Sequence, residues 1–317
     1  MKKRIWIIFV FLFVFFLSGY SMNTQEYLTQ EEAACRFLDK GEIDKAVEIL
    51  QNVLTRKPNN FNAQLYLGIA LYMKRDVDEA LKRFENIEKE LDRMVGSSRP
   101  FGDETMFTQM GMERKADLLF SEERKGLLSF FLGLSLKEKK NFKNAEKMFK
   151  KALKQEYDEM VVRVQLFDLY VKMNDLKSAS KQMVELKRIS GEGELFIFLD
   201  GYMKYRKGSL EDALAAMEKI SPSNVEAKKN IARLHYNKGN YQRAVEIWQD
   251  ILSQFPDDKE GQIEIGRAYF HVGDSEKAQE YFTAAGVQTS PEKYSPKNVP
   301  LIYENLLKEL KFNLRCK

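Results

Sequence analysis

Asp44-Lys45-Ala46-Val47-Glu48-Ile49-Leu50 returns as Asp78-Glu79-Ala80-Leu81-Lys82-Arg83-Phe84, displaced by 34 residues. The same pattern comes back around Ala145, Ala179, Ala213, Ala244 and Ala278. Four residues after each alanine stands a large apolar side chain: Leu50, Phe84, Phe149, Met183, Met217, Trp248 and Phe282. A spacing of four puts both on one face of a helix. Twelve residues before each alanine is a small residue, Ala34, Gly68, Gly133, Gly201, Ala232 and Gly266, with Phe167 as the exception. The small residue makes a hole between two helices and the large one fills it. A fixed period of this length points to stacked helical units, so counting globular domains is the wrong approach.

The connections follow the same logic. Gly41, Asn174, Gly208, Gly239 and Gly273 stand where a chain turning between antiparallel helices needs positive φ. Pro58 and Pro256 stand where a second helix has to stop. With these columns the sequence from about Tyr27 to Ser290 resembles the tetratricopeptide repeat (TPR) family, whose 34-residue unit is helix, turn, helix. The resemblance implies an all-α, right-handed superhelical solenoid of about seven such units. They start at Tyr27, Phe61, Gly126, Met160, Glu194, Val225 and Lys259, giving repeats 1–2 over residues 27–94 and repeats 3–7 over 126–292.

Two stretches break the period. Residues 95–125 are an insertion that opens on the breaker cluster Gly96-Ser97-Ser98-Arg99-Pro100 and carries Met106, Phe107, Met110, Met112 and Phe120. It is expected to cover the apolar groove positions Leu65, Ile69, Tyr72, Phe130 and Leu134. Repeat 5 is only 31 residues long, and Asp200 and Lys204, four apart, are placed to pair across one helical turn. Residues 298–314, with Ile302, Leu306, Leu307 and Leu310 on one face, are expected to form a helix capping the end of the stack.

Residues 1–23 stand apart. Lys2, Lys3 and Arg4 precede an apolar run from Ile5 to Leu17, which at 13 residues reaches about 20 Å and is short for a bilayer core of about 30 Å. Small residues follow it at Ser18, Gly19 and Ser21. An export signal or a short membrane anchor fits this pattern, and it places the protein across the cytoplasmic membrane, periplasmic or envelope-associated. Without these residues the charge balance falls to 48 Lys and Arg against 47 Asp and Glu, so no global attraction to nucleic acid is expected. Cys35 and Cys316 lie near opposite ends of the chain, and in a linear stack both are expected to be free thiols.

No constellation for catalysis is visible. The two histidines, His235 and His271, lack metal-ligand spacing, and there is no phosphate loop or nucleophile motif. No enzyme activity, cofactor or metal is expected. Binding is different, because the resemblance implies that the first helix of each unit lines a concave groove. In repeats 5–7 its columns give Phe198, Tyr202, Tyr205, Lys229, Asn230, Arg233, Tyr236, Arg267 and Phe270. Cations among aromatic rings suit an extended peptide carrying carboxylates. The expected role is an exported scaffold or assembly factor holding a protein or peptide partner. The alternative is a membrane-anchored organiser, contacting the membrane through residues 1–20 and acting by self-association.

Overall fold

The structure, a computed structural model, describes residues 30–96, 122–288, 290–302 and 314. Residues 1–23, Tyr27, most of the insertion (97–121), residues 303–313 of the expected capping helix, and Cys316 lie outside the described residues. All regular structure among those described is helical. The chain divides into two compact bodies, one of residues 1–169 with 312–317 and one of residues 170–311.

In the first body α1 (30–39), α2 (Ile43–Arg56), α3 (Phe61–Met73), α4 (Val77–Gly96), α5 (Glu122–Glu138) and α6 (Phe142–Lys154) run in sequence. Helix α7 (Glu159–Lys172) follows, with residues 159–169 in this body. From α2 to α6 consecutive helices pack as neighbours, α3 on α4 and α5 on α6 most closely. The two helices of a unit bury different amounts of surface, for a physical reason. In α2 only Ala46, Leu50 and Val53 are buried, a single i, i+4, i+7 stripe. In α3 burial extends almost all round, over Phe61, Ala63, Leu65, Tyr66, Leu67, Gly68, Ile69 and Ala70, because it packs on α2, α4 and α5 at once.

The second body holds α8 (Leu176–Ser190), α9 (Glu194–Arg206), α10 (Leu210–Met217), α11 (Val225–Asn237), α12 (Tyr241–Gln254), α13 (Lys259–Val272), α14 (Ser275–Ala284) and the single turn α15 (Pro291–Tyr294). Its hairpins are α9 with α10, α11 with α12 and α13 with α14. Repeat 5 is short because α10 has only 8 residues. Asp200 and Lys204 pair at 2.8 Å. Asn60 and Asn224 cap α3 and α11 by accepting from the Ala63 and Ala227 N–H groups at 3.1 and 3.0 Å. Such caps stabilise a helix by about 1 kcal/mol each.

The periodic columns meet as their sizes require. All seven alanines are completely buried. A Cβ added to Gly68 would lie 2.5 Å from the Phe84 ring, one on Gly133 would lie 2.7 Å from Phe149, and one on Gly201 would lie 2.8 Å from Met217. The turn columns adopt positive φ, from 58° at Asn174 to 98° at Gly273. Arg75 and Lys140 occupy the same turn place with φ of 69° and 59°. Their side chains gave no hint of it, since L-residues with a Cβ resist this region.

Two expectations are corrected. Residues 298–302, the first five of the expected capping helix, carry no helix or strand, and residues 303–313 of it lie outside the described residues. Pro300 denies a helix its N–H, and the main-chain groups of Val299 and Ile302 are held by side chains of α11. Cys35 is disulfide-bonded, and Cys316 is the only other cysteine in the sequence. The free-thiol reading treated the chain as a straight stack, but Leu314 lies in the same body as Cys35. The Leu314 carbonyl oxygen lies 3.8 Å from the Cys35 Sγ.

Candidate functional site

The groove positions of the first body are closed. Leu65, Ile69, Phe130 and Leu134 are buried, and Tyr72 meets Phe131 edge-on at 5.7 Å. Burial pushes the Tyr72 hydroxyl well above its ordinary value, with the charges of Glu138 and Asp168 adding to the effect. Whether residues 97–121 do the covering lies outside the described residues.

The second body carries the candidate site, on α11 and α13. Helix geometry puts Lys229, Asn230, Arg233, Tyr236 and Asn237 on one face of α11. Each cation has partners within the protein. Lys229 Nζ lies 2.6 Å from Asp258 Oδ2, with Glu260 and Glu226 at 3.8 and 3.9 Å. Arg233, completely buried, gives Nη2 to Glu260 Oε1 at 2.9 Å, lies 3.5 Å from Glu264 Oε1 through Nε, and stacks its guanidinium over Trp248. Its Nη1 is buried without a hydrogen-bond acceptor. Arg267 Nη1 also binds Glu264 Oε1, at 2.9 Å. Four carboxylates thus face three cations, so this surface is not a positively charged clamp.

The hydrogen-bonding capacity of the face is spent on main chain. Residues 294–302, Tyr-Ser-Pro-Lys-Asn-Val-Pro-Leu-Ile, cross it as a strap that leaves α15 at Tyr294, bends at Lys297 and has no helix or strand beyond Tyr294. Arg267 Nε donates to the Tyr294 carbonyl at 2.7 Å, and His271 Nε2 lies 3.1 Å from the Ser295 carbonyl. The Tyr236 hydroxyl donates to the Pro296 carbonyl at 2.5 Å. Asn237 binds both main-chain groups of Val299, accepting from N–H at 2.7 Å and donating to C=O at 2.8 Å. Asn230 does the same to Ile302, at 2.8 and 2.7 Å. The second amide hydrogen of Asn230 reaches the Glu226 carbonyl at 2.9 Å, so both of its donors are used. Burial raises the Tyr236 pKa far above the usual phenol value, which keeps the hydroxyl protonated as a donor.

The geometry works as a ruler. Asn230 and Asn237 are seven residues apart, about 10.5 Å along a helix. Val299 and Ile302 are three apart, about 10 Å of extended chain. The strap runs antiparallel to α11, and the two amide side chains meet it one stride apart. Val299 is buried in the cluster of Tyr236, Trp248, Ile265, Tyr269 and Phe282.

Of the residues singled out in the sequence, Lys229, Asn230, Arg233, Tyr236 and Arg267 come together here. Phe270, half-buried, packs against the same cluster. Phe198, Tyr202 and Tyr205 lie on α9, the first two buried and the last half-buried, with the tyrosine rings 6.2 Å apart. The strap's described hydrogen-bond partners are all on α11 and α13. Asn237, His271 and the acidic set Asp258, Glu260 and Glu264 were missed. Asn237 was recoverable, since it lies seven residues after Asn230 on the same face. Among the described residues no three His, Cys, Asp or Glu side chains are grouped to hold a metal ion.

The family's repeat pattern, described as tetratricopeptide repeat, matches residues 32–91, 205–263, and 128–158 with 260–285. A tetratricopeptide repeat protein from Parabacteroides merdae has a similar structure, with a TM-score of 0.60 at 14% identity over 90% of this chain and 98% of that one. A chain of the APC/C hetero-tetramer Cut9-Hcn1 gives 0.56 at 13% identity, over 83% of this chain. This chain spans about half the length of that one, 47%. At these identities the likeness concerns the fold alone. No curated protein matches this chain. The matched repeats together cover more than half of the sequence and coincide with the observed helical hairpins, and the chain belongs to the tetratricopeptide repeat family.

Proposed function

We propose that this protein is an exported scaffold of the cell envelope that holds an extended segment of a partner protein on the α11/α13 face of its second body. As a tetratricopeptide repeat protein it is of the protein-binding type. One observation carries the finer reading: that face binds a non-helical segment through side chain to main chain hydrogen bonds, the chemistry by which a groove reads a peptide. The site comprises Lys229, Asn230, Arg233, Tyr236, Arg267 and Phe270, joined by Asn237 and His271, with Phe198, Tyr202 and Tyr205 as its extension along α9. Cut9-Hcn1, a hetero-tetramer of similar fold, supports the idea by analogy only.

Export is supported by the cationic and apolar residues 2–17 and by the disulfide at Cys35, since disulfides persist in oxidising compartments. The test is crosslinking in living cells followed by identification of what purifies with the wild type and with Asn230→Ala/Asn237→Ala. A specific partner that is lost from the double variant, at unchanged helicity, supports the groove. Equal recovery from both sinks it. A version lacking residues 1–23 that rescues a deletion strain from the cytoplasm sinks the export part.

A further inference from the structure

Nothing in the repeat pattern calls for residues 294–302 to lie on the α11/α13 face. The 34-residue period ends before them. Their seat is nonetheless built in detail: seven side-chain to main-chain hydrogen bonds come from five residues on two helices. None of these bonds depends on which side chain the strap carries. Side-chain selection rests on Val299 and Leu301, both buried, with Ser295 buried and Tyr294 half-buried against Phe282 at its start, whereas Pro296, Lys297, Asn298 and Pro300 face solvent. Pro296 and Pro300 fix their own φ and bias Ser295 and Val299 to extended backbone, so little entropy is lost when the segment lies flat. They also remove two N–H donors that the groove would otherwise have to satisfy. These are the properties of a bound peptide, here supplied by the chain itself.

We infer that the strap is an intramolecular ligand that occupies the partner site and is displaced by partner segments of the same chemistry. This rests on the reading that the α11/α13 face is the partner site. The ligand class follows from the seat. It is a non-helical stretch with an aliphatic side chain at the place of Val299 and a second one two residues on, any charge being confined to its solvent-facing positions, as at Lys297. A free main-chain N–H is required at the first clamped position and again three residues later. Proline at either of those positions is excluded, because Asn237 and Asn230 each accept from an N–H there. Carboxylates are not called for, since Asp258, Glu260 and Glu264 already neutralise the cations.

Tethering sets the energetics. A strap attached to its own site acts at an effective concentration on the order of millimolar, so a free segment competes poorly until the strap is weakened. Apparent affinity falls by the fraction of molecules whose groove is open. A partner therefore engages this site strongly only if it binds more tightly than the strap or arrives multivalently.

The experiment uses a fluorescent peptide of residues 294–302 as probe and the full-length protein as receptor. Val299→Asp puts a carboxylate into the apolar seat and releases the strap. This variant is expected to bind the probe at least about tenfold more tightly than the wild type, and the additional changes Asn230→Ala/Asn237→Ala are expected to abolish that binding. A wild-type measurement covers the case in which Val299→Asp unfolds. Hydrogen exchange at the Val299 and Ile302 amides should be slow in the protein alone and should accelerate when unlabelled probe is added in excess. Equal probe binding by wild type and Val299→Asp, or none by either, overturns the inference, as does exchange that the probe leaves unchanged. A wild-type dimer that the probe dissociates would assign the seat to a second copy's strap and overturn the intramolecular form. In each of those cases the groove reading still stands if the crosslinked partner depends on Asn230 and Asn237. If partner recovery ignores both asparagines while the probe behaves as expected, the strap is real and the partner binds elsewhere.

Discussion

Gly133→Ala tests the packing rule on which the fold reading rests. The new Cβ would stand 2.7 Å from both Cδ1 and Cε1 of Phe149. To reach ordinary contact the ring has to withdraw by about 0.7 Å, from 2.7 to 3.4 Å. It has little room, since Phe149 is completely buried and its ring lies 5.9 Å from that of Phe130, which is packed in turn at 4.8 Å from Tyr157. Overpacking of this kind costs about 1–3 kcal/mol. Replacing a helical glycine by alanine returns roughly 1 kcal/mol of propensity. The net expectation is a loss of up to about 2 kcal/mol. In Gly133→Ala/Phe149→Leu the smaller side chain should accept the Cβ, so the double variant should lose less than the two single losses combined. Thermal and urea unfolding of all four proteins, followed by circular dichroism, closes the cycle. A Gly133→Ala protein more stable than wild type, or strict additivity in the cycle, would refute the hole-and-filler account.

Lys137→Met leaves the buried Asp168 carboxylate, now 2.5 Å from the ammonium, without that partner, at a cost of about 3 kcal/mol or more. Lys137→Met/Asp168→Leu should recover most of it in the same unfolding assay, and equal losses would count against the pairing. Lys140→Gly frees a residue held at φ 59° and should raise stability by about 1 kcal/mol; a lowered melting temperature contradicts the strain argument. His235 is held below its ordinary pKa of 6.5, first by burial and then by the charge of Arg243, so the fold favours the neutral ring. Its contribution is complete above pH 6.5 and is lost as pH falls through that value toward the lower folded one. Urea midpoints at about pH 7.5 and 5.5 should therefore diverge less in His235→Gln than in wild type, and an unchanged difference rejects the assignment. Peptide mapping without reductant should recover Cys35 joined to Cys316, and two alkylatable thiols in the exported protein would contradict the disulfide.

The legible part of this protein was the part that repeats. Ala80, Phe84 and Gly68 meet within one hairpin, and the same sizes recur at the same spacing in other hairpins, so local periodicity was enough to assign the helices and their buried faces. Exceptions such as Arg75 and Lys140 were hidden because the fold imposes positive φ there on residues that do not advertise it. At the candidate site the sequence identified Asn230, Arg233, Tyr236 and Arg267, since helical columns fix which residues share a face. It misjudged their chemistry. Arg233 meets Glu260 and Glu264 on the first helix of the next hairpin, 27 and 31 residues away, and this turns an expected cationic clamp into a neutralised network. Asn230 and Ile302 are 72 residues apart, and Cys35 lies 279 residues from Leu314. Such contacts join a periodic array to an aperiodic tail, and no pattern in either one encodes where the tail will lie. That is decided only when the assembled helices present a seat whose spacing, burial and hydrogen-bonding groups match the extended chain.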